Sequence, residues 1–448
     1  MTSVRPILIK GGRVIDPSQG IDRIADVVIA DGKILGVDGG IELEDSEVID
    51  ATEMVVCPGF IDLHTHLREP GFEYKETIAT GTAAAARGGF TTVCAMPNTS
   101  PVMDSRSIVD FVLTKAVEEG VVRVLPIGAV TKGSKGKELA EMGELAEAGV
   151  IGFSDDGHPV SDDNIMRQAL SYASSLGLPI INHAEVKSLS GGGMMNEGWV
   201  ATRLGLKGIP TSAEDIMVAR DIELAYLTGG HVHIAHASTA RSVDLVRRAK
   251  DKGINVTCEV TPHHLTLTDE AVMGYLSTDG PFDTLTEAAY DTATKVAPPL
   301  RSRGDMEIMV DALTEGVIDV IATDHAPHGT VDKQTTYEDA DNGISNLETA
   351  LGSVMVLVHA DAIPLPVIIE KLTAGPADFL GRTDLGTLRA GSEADVTIID
   401  PNAEWVVEPS EFASKGKNTP LAGATLKGQV VATVFEGRVV YQHSEGFV

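Results

Sequence analysis

Eight short apolar runs, each ending in polar residues and followed by a segment of helical spacing, predict an α/β protein. Its expected architecture is a (β/α)8 TIM barrel with a small β-sandwich formed from both chain termini. The sandwich is expected because residues 1–57 and 386–448 lack the alternation and read as short strands with turn signals. That leaves the barrel over residues 58–385. A third observation supports it: histidines and acids gather where the barrel strands finish, and that end of such a barrel forms the active-site rim.

The runs, in order, are MVVCPGFIDLHTH, FTTVCAMPN, VVRVLPIGAV, GVIGFSDDG, LPIINHAE, HVHIAHAS, INVTCEVTPHH and IDVIATDHAPH. All are rich in β-branched and other apolar residues. Between them lie helix-like segments such as TIATGTAAAARGG, SRSIVDFVLTKAVEEG, DDNIMRQALSYASSLG and ARSVDLVRRAKDKG. Several open on Ser or Asp, as helix N-caps prefer, and close on Gly. Eight such units over roughly 270 residues suit a barrel of typical size, about 250. The flanks, including ILIKGGRVIDP, DVVIADGKILGVDGG and QVVATVFEGRVVYQ, each hold too few strands for a stable sheet pair alone.

Composition narrows the function. The 448 residues carry a net charge of −30, which excludes a nucleic-acid partner, because a phosphate backbone needs a basic face. The same charge gives no long-range attraction to an anionic substrate, so local cations must catch one. No apolar run is long enough to span a bilayer, and the N-terminus lacks a signal-peptide core; a cytoplasmic protein without a membrane partner is expected. Cys57, Cys94 and Cys258 are far apart, each within an apolar run, which argues for core packing over disulfides or a CxxC zinc site.

In FIDLHTH, alternate strand side chains share a face, so His64 and His66 point the same way. Alone, the pair could be no more than polar residues at a strand edge. The rim adds His183, His236, Asp156 and Asp324 on separate strands. Zinc takes histidine nitrogen and carboxylate oxygen, so the set suffices for one open metal or for two sharing a bridging ligand. Taken singly, each has a plain alternative. His183 could be a core histidine; His236 competes with His231 and His233, which could be surface residues; Asp155 and Asp156 could form a turn or cap. Their joint occurrence favours the metal centre.

GFIDLHTHLREPGFEYKETI, FTTVCAMPNTSPVMD, FSDDG, VTPHHL, PPLRS and IATDHAPH resemble the type I dihydroorotases of the cyclic amidohydrolase superfamily, from about Gly11 to the C-terminus. The resemblance implies reversible cyclisation of N-carbamoyl-L-aspartate to (S)-dihydroorotate in pyrimidine synthesis, through zinc-activated hydroxide attack on the ring amide in the hydrolytic direction. It implies one or two Zn2+ held by His64, His66, Asp156, His183 and His236. Asp324 would be metal-proximal and the general acid/base. Arg68, Asn98 and His328 would grip the substrate carboxylate, and Asn342 and Gly343 would lie in the substrate loop. It further implies a small anionic substrate and a homo-oligomer, with aspartate transcarbamoylase as a candidate partner.

The strand-4 segment has an aspartate where hydantoinases and allantoinases generally carry a carboxylated lysine. Three features depart from the family pattern: Ala297 before the prolines of PPLR, in place of Asn; a longer 269–295 segment; and Asn342-Gly343 where Phe-Gly is common. Two rival readings stand beside the main one. One is another cyclic amidase, a hydantoinase, dihydropyrimidinase or allantoinase. The other is a catalytically silent dihydroorotase-like subunit scaffolding aspartate transcarbamoylase.

Overall fold

The computed structural model describes residues 5–38, 46–277 and 284–447. Parallel strands carry the middle of the chain. Phe60–Thr65 pairs with Phe90–Ala95, which pairs with Arg123–Pro126. A second parallel set runs through Ile180–Asn182, Val232–Ile234, Val256–Val260 and Val320–Ile321. Single bridges link the sets at both margins. Phe153 pairs with Gly128 on one side and Ile180 on the other, and Thr65 pairs with His325.

The fourth apolar run is thus reduced to one bridged residue. Its ladder bonds are made, with Phe153 N donating to Pro179 O at 3.1 Å and Ile181 N to Phe153 O at 2.8 Å. Asp155 then ends the pairing by turning its carboxylate back to accept from Val130 N and Thr131 N.

Helices Ile78–Arg87, Arg106–Glu119, Asp163–Leu176, Ser212–Thr228, Ala240–Asp251 and Arg303–Thr314 separate the strands. Asp162 shows why one starts where it does: its side chain accepts from Asn164 N and Ile165 N, satisfying donors the first turn leaves open. Strand residues such as Phe60, Phe90 and Phe153 are wholly buried, each contributing about 1.5–3 kcal/mol. All three cysteines are buried too.

Both chain ends enter one continuous nine-stranded sheet. The junction is antiparallel: Val55–Pro58 from the first end pairs with Val396–Val406 from the second. Ile9, Val27, Ile29, Val56, Val396, Ile398 and Val434 from this sheet share one apolar cluster, so the sheet wraps around a core of its own. The long 269–295 segment, of which 278–283 lie outside the described residues, begins by packing Val272 and Met273 on Val200 and Leu204. No helix among the described residues is long and apolar enough to cross a membrane.

Candidate active site

The parallel pairing brings the carboxyl ends of the strands to one place. His64 is the fifth residue of its strand and His66 lies just past the end; His183 follows Ile180–Asn182, and His236 lies two beyond Val232–Ile234. Asp156 and Asp324 sit three residues past Phe153 and Ile321. All six are buried.

Asp156 is central. Its Oδ1 lies 3.6 Å from His64 Nε2, 3.5 Å from His183 Nδ1 and 3.6 Å from His236 Nε2, while its Oδ2 lies 3.6 Å from His66 Nε2. Asp324 Oδ1 lies 3.1 Å from His66 Nε2 and 3.6 Å from His64 Nε2. Two trios whose donor atoms lie within 4.8 Å of one another, His64/His66/Asp324 and His64/Asp156/His236, share His64.

This donor set fits a divalent cation on two grounds. His64 Nε2 and Asp156 Oδ1 are buried at the centre with no hydrogen-bond partner, although buried polar atoms are nearly always paired. The field also demands positive charge. Burial alone would lower the His64 ring's proton affinity, yet Glu259, Asp156 and Asp324 outweigh it and drive the ring well above the usual imidazole range. The same histidines overcome burial at Asp156 and hold its carboxyl well below the usual carboxylate range.

Beneath the cluster lies a buried carboxylate that sequence reading passed over. Glu259 takes His64 Nδ1 at 2.7 Å, His233 Nε2 at 3.1 Å and the backbone N–H of His236 at 3.2 Å. His233 is therefore not a surface residue; it is fully buried because its ring bridges Glu259 and the Thr257 hydroxyl. By fixing which His64 nitrogen faces the centre, Glu259 plays the orienting role that carboxylates behind metal-bound histidines commonly play. Replacing Glu259 by Gln is expected to weaken divalent-metal affinity about 10- to 100-fold in a chelator competition. Unchanged affinity would remove Glu259 from the site.

A cavity of about 340 Å³ opens over the cluster. Arg68, Asn98, His328, Asn342 and Gly343 all line it, and so does Ala297. Three cationic side chains face it. Lys75 pairs with Asp341 at 2.7 Å, and Lys187 pairs with Glu185. Arg68 forms no ion pair among the described residues; its Nε donates to Pro327 O at 3.2 Å, and its Nη2 lies 3.3 Å from His328 Nε2.

His328 Nε2 lies 2.8 Å from Asn342 O and 3.3 Å from Arg68 Nη2, and its Nδ1 lies 3.1 Å from Lys75 Nζ and 3.2 Å from Asp341 Oδ2. Burial, with Arg68 and Lys75 nearby, pushes the ring down to about 4 against the pull of Asp341, so it is neutral at neutral pH. Asn98 spans two cluster members, its Oδ1 2.9 Å from His66 Nδ1 and its Nδ2 donating to Asp156 Oδ2 at 3.2 Å. Asp155, the other acid of FSDDG, is the turn residue; Asp156 faces the histidines.

Two glycines let the lining loops close in. Gly343 has φ 142°, and a Cβ there would stand 2.6 Å from Ala326 Cβ. Gly71 has φ 100°, and a Cβ there would stand 2.1 Å from Ser100 O. That contact seats the loop carrying Arg68 against the loop carrying Asn98. Gly71→Ala adds backbone strain to overpacking and is expected to cost about 2–4 kcal/mol in urea unfolding. A loss under about 0.5 kcal/mol would show that the loops do not depend on this contact.

Residues 53–242 match a family model described as dihydro-orotase-like, and residues 209–441 match an amidohydrolase family model. The chain is 53% identical to the dihydroorotase of Pelotomaculum thermopropionicum, over 97% of this chain and 98% of that one. It is 52% identical to the dihydroorotase of Geobacter sp. strain M21, over 97% and 99%. Among solved structures it is similar to the L-hydantoinase of Arthrobacter aurescens, with a TM-score of 0.87 at 26% identity over 99% of this chain and 98% of that one. The dihydropyrimidinase of Brevibacillus agri NCHU1002 gives a TM-score of 0.83 at 24% identity over 99% and 96%.

Proposed function

We propose a division of labour for the site of this chain, which belongs to the dihydroorotase family. The enzyme interconverts N-carbamoyl-L-aspartate and (S)-dihydroorotate, a hydrolase reaction of pyrimidine biosynthesis. His64, His66, Asp156, His183 and His236 would hold one or two zinc ions, with Asp324 close by. Bound there, zinc supplies Lewis acidity and lowers the pKa of water toward neutrality.

The chain's own residues supply the remainder. Arg68 takes the ring carboxylate in a bidentate grip, for which a planar guanidinium is suited. Asn98 and His328 flank that grip from the cavity wall, and the Asn342-Gly343 loop closes the side where Ala297 leaves room. In hydrolysis, the Asp324 carboxylate accepts a proton from the attacking water. It returns that proton to the ring nitrogen as the amide C–N bond breaks. Cyclisation is the reverse: Asp324 removes the carbamoyl N–H proton and water leaves from the carboxyl carbon. The protein scaffold for this is a (β/α)8 barrel at 58–385 and a β-domain from 1–57 and 386–448, the reading favoured by the run of parallel bridges.

The observation that carries the assignment is the Arg68 guanidinium, facing a cavity over a buried His/Asp cluster with no carboxylate of its own. Zinc-reconstituted protein assayed against dihydroorotate, hydantoin and allantoin tests it. Turnover of dihydroorotate alone is expected; comparable turnover of hydantoin would overturn the carboxylate grip. The same reading extends to a cytoplasmic homo-oligomer that binds aspartate transcarbamoylase. Light scattering of the chain alone and mixed with that enzyme tests both parts.

A further inference from the structure

Beside the active-site cavity lies a second one, of about 510 Å³. Its wall is the loop 133–137, GSKGK, together with His158, Pro159, Ser161 and Lys187. His158 and Lys187 line both cavities, so the two meet at the mouth of the site. No aspartate or glutamate lines this second cavity among the described residues. In a chain of net charge −30, that is an unusual surface.

Lys135, Lys137 and Lys187 are exposed. Lys187 shares Glu185, and Lys132 is taken up by Glu138 at 2.7 Å and Glu141 at 3.3 Å. Lys135 and Lys137 form no ion pair among the described residues. The loop that presents them is anchored. Asp155 accepts from Val130 N and Thr131 N, Asp104 accepts from Gly133 N at 2.7 Å, and Thr131 Oγ1 accepts from Gly136 N at 2.9 Å.

The reaction's open-chain partner bears two carboxylates and the ring one. The field of the whole chain opposes both, but at about 0.1 M salt it is screened beyond about 10 Å, and nearer charges govern. We propose that the second cavity is an outer anion subsite, where Lys135 and Lys137 gather the carboxylates of the open-chain substrate before Arg68 takes one of them. This rests on the dihydroorotase reading.

The test is steady-state kinetics of Lys135→Glu/Lys137→Glu in both directions across ionic strength. At low salt, kcat/KM for N-carbamoyl-L-aspartate is expected to fall about tenfold, within the range of electrostatic steering. The fall for dihydroorotate, with one charge fewer, should be smaller. Both should converge on the wild type near 0.5 M salt, where screening reaches within about 5 Å, with kcat unchanged throughout. The milder Lys135→Gln/Lys137→Gln pair, which guards against a folding defect, should move kcat/KM the same way by less. Unaltered kinetics at low salt, a loss that persists at high salt, or a loss in kcat would each overturn the subsite. A wild-type protein inert toward both compounds would instead sink the functional reading.

Discussion

Asp324→Asn is expected to lower kcat by about two to four powers of ten while leaving KM close to that of the parent. Asparagine keeps the shape of the side chain and can occupy the same left-handed backbone, where Asp324 sits at φ 47°. What it lacks is a lone pair basic enough to take a proton from water. Burial would raise the Asp324 carboxyl, but the histidines His64, His66 and His236 hold it well below the usual range, so it is ionised. Because Asp324 also stands 3.1 Å from His66, the variant's zinc content has to be measured beside its rate. A variant with full zinc and a thousandth of the rate identifies the proton carrier. One with full zinc and a tenth or more of the rate would move that role elsewhere.

Sequence reading reached this site where the chemistry is local. His64 and His66 were legible because side chains two residues apart along an extended segment share a face. The strand-end positions of His183, His236 and Asp324 were legible because the alternation of apolar runs with helix-like segments marks where each strand stops. Between Asp155 and Asp156 only the family resemblance chose Asp156, since adjacent acids at a strand end can cap or ligate. The structure splits them: Asp155 accepts from Val130 N and Thr131 N, and Asp156 faces the histidines.

Glu259 and His233 were missed because they lie inside strands, in VTCEV and HVHI, where a polar residue has no sequence signal of its purpose. Only the pairing of Val232–Ile234 with Val256–Val260 brings them together. The expected strand at GVIGF is a single bridged residue, Phe153, set between Gly128 and Ile180. The two chain ends joined one sheet because Val55–Pro58 and Val396–Val406 pair directly, a partnership across some 340 residues that local patterning cannot announce.

Arg68→Ala removes the one cavity cation that, among the described residues, has no protein carboxylate, and its cost should appear in binding. Lys75 is held by Asp341 and Lys187 by Glu185, so neither is free to substitute. His328 is neutral and cannot supply charge. Truncating one partner of a desolvated charge pair costs about 2–5 kcal/mol, which is between one and four powers of ten in kcat/KM. Most of the loss should lie in KM, since the carboxylate is held alike in the ring and in the open chain and is remote from the bond that breaks. Arg68→Lys should recover part of it, restoring a charge but not the planar two-pronged grip. If kcat and KM both survive the alanine substitution, the substrate carboxylate is bound by some other group. The guanidinium would then be a structural tie to Pro327.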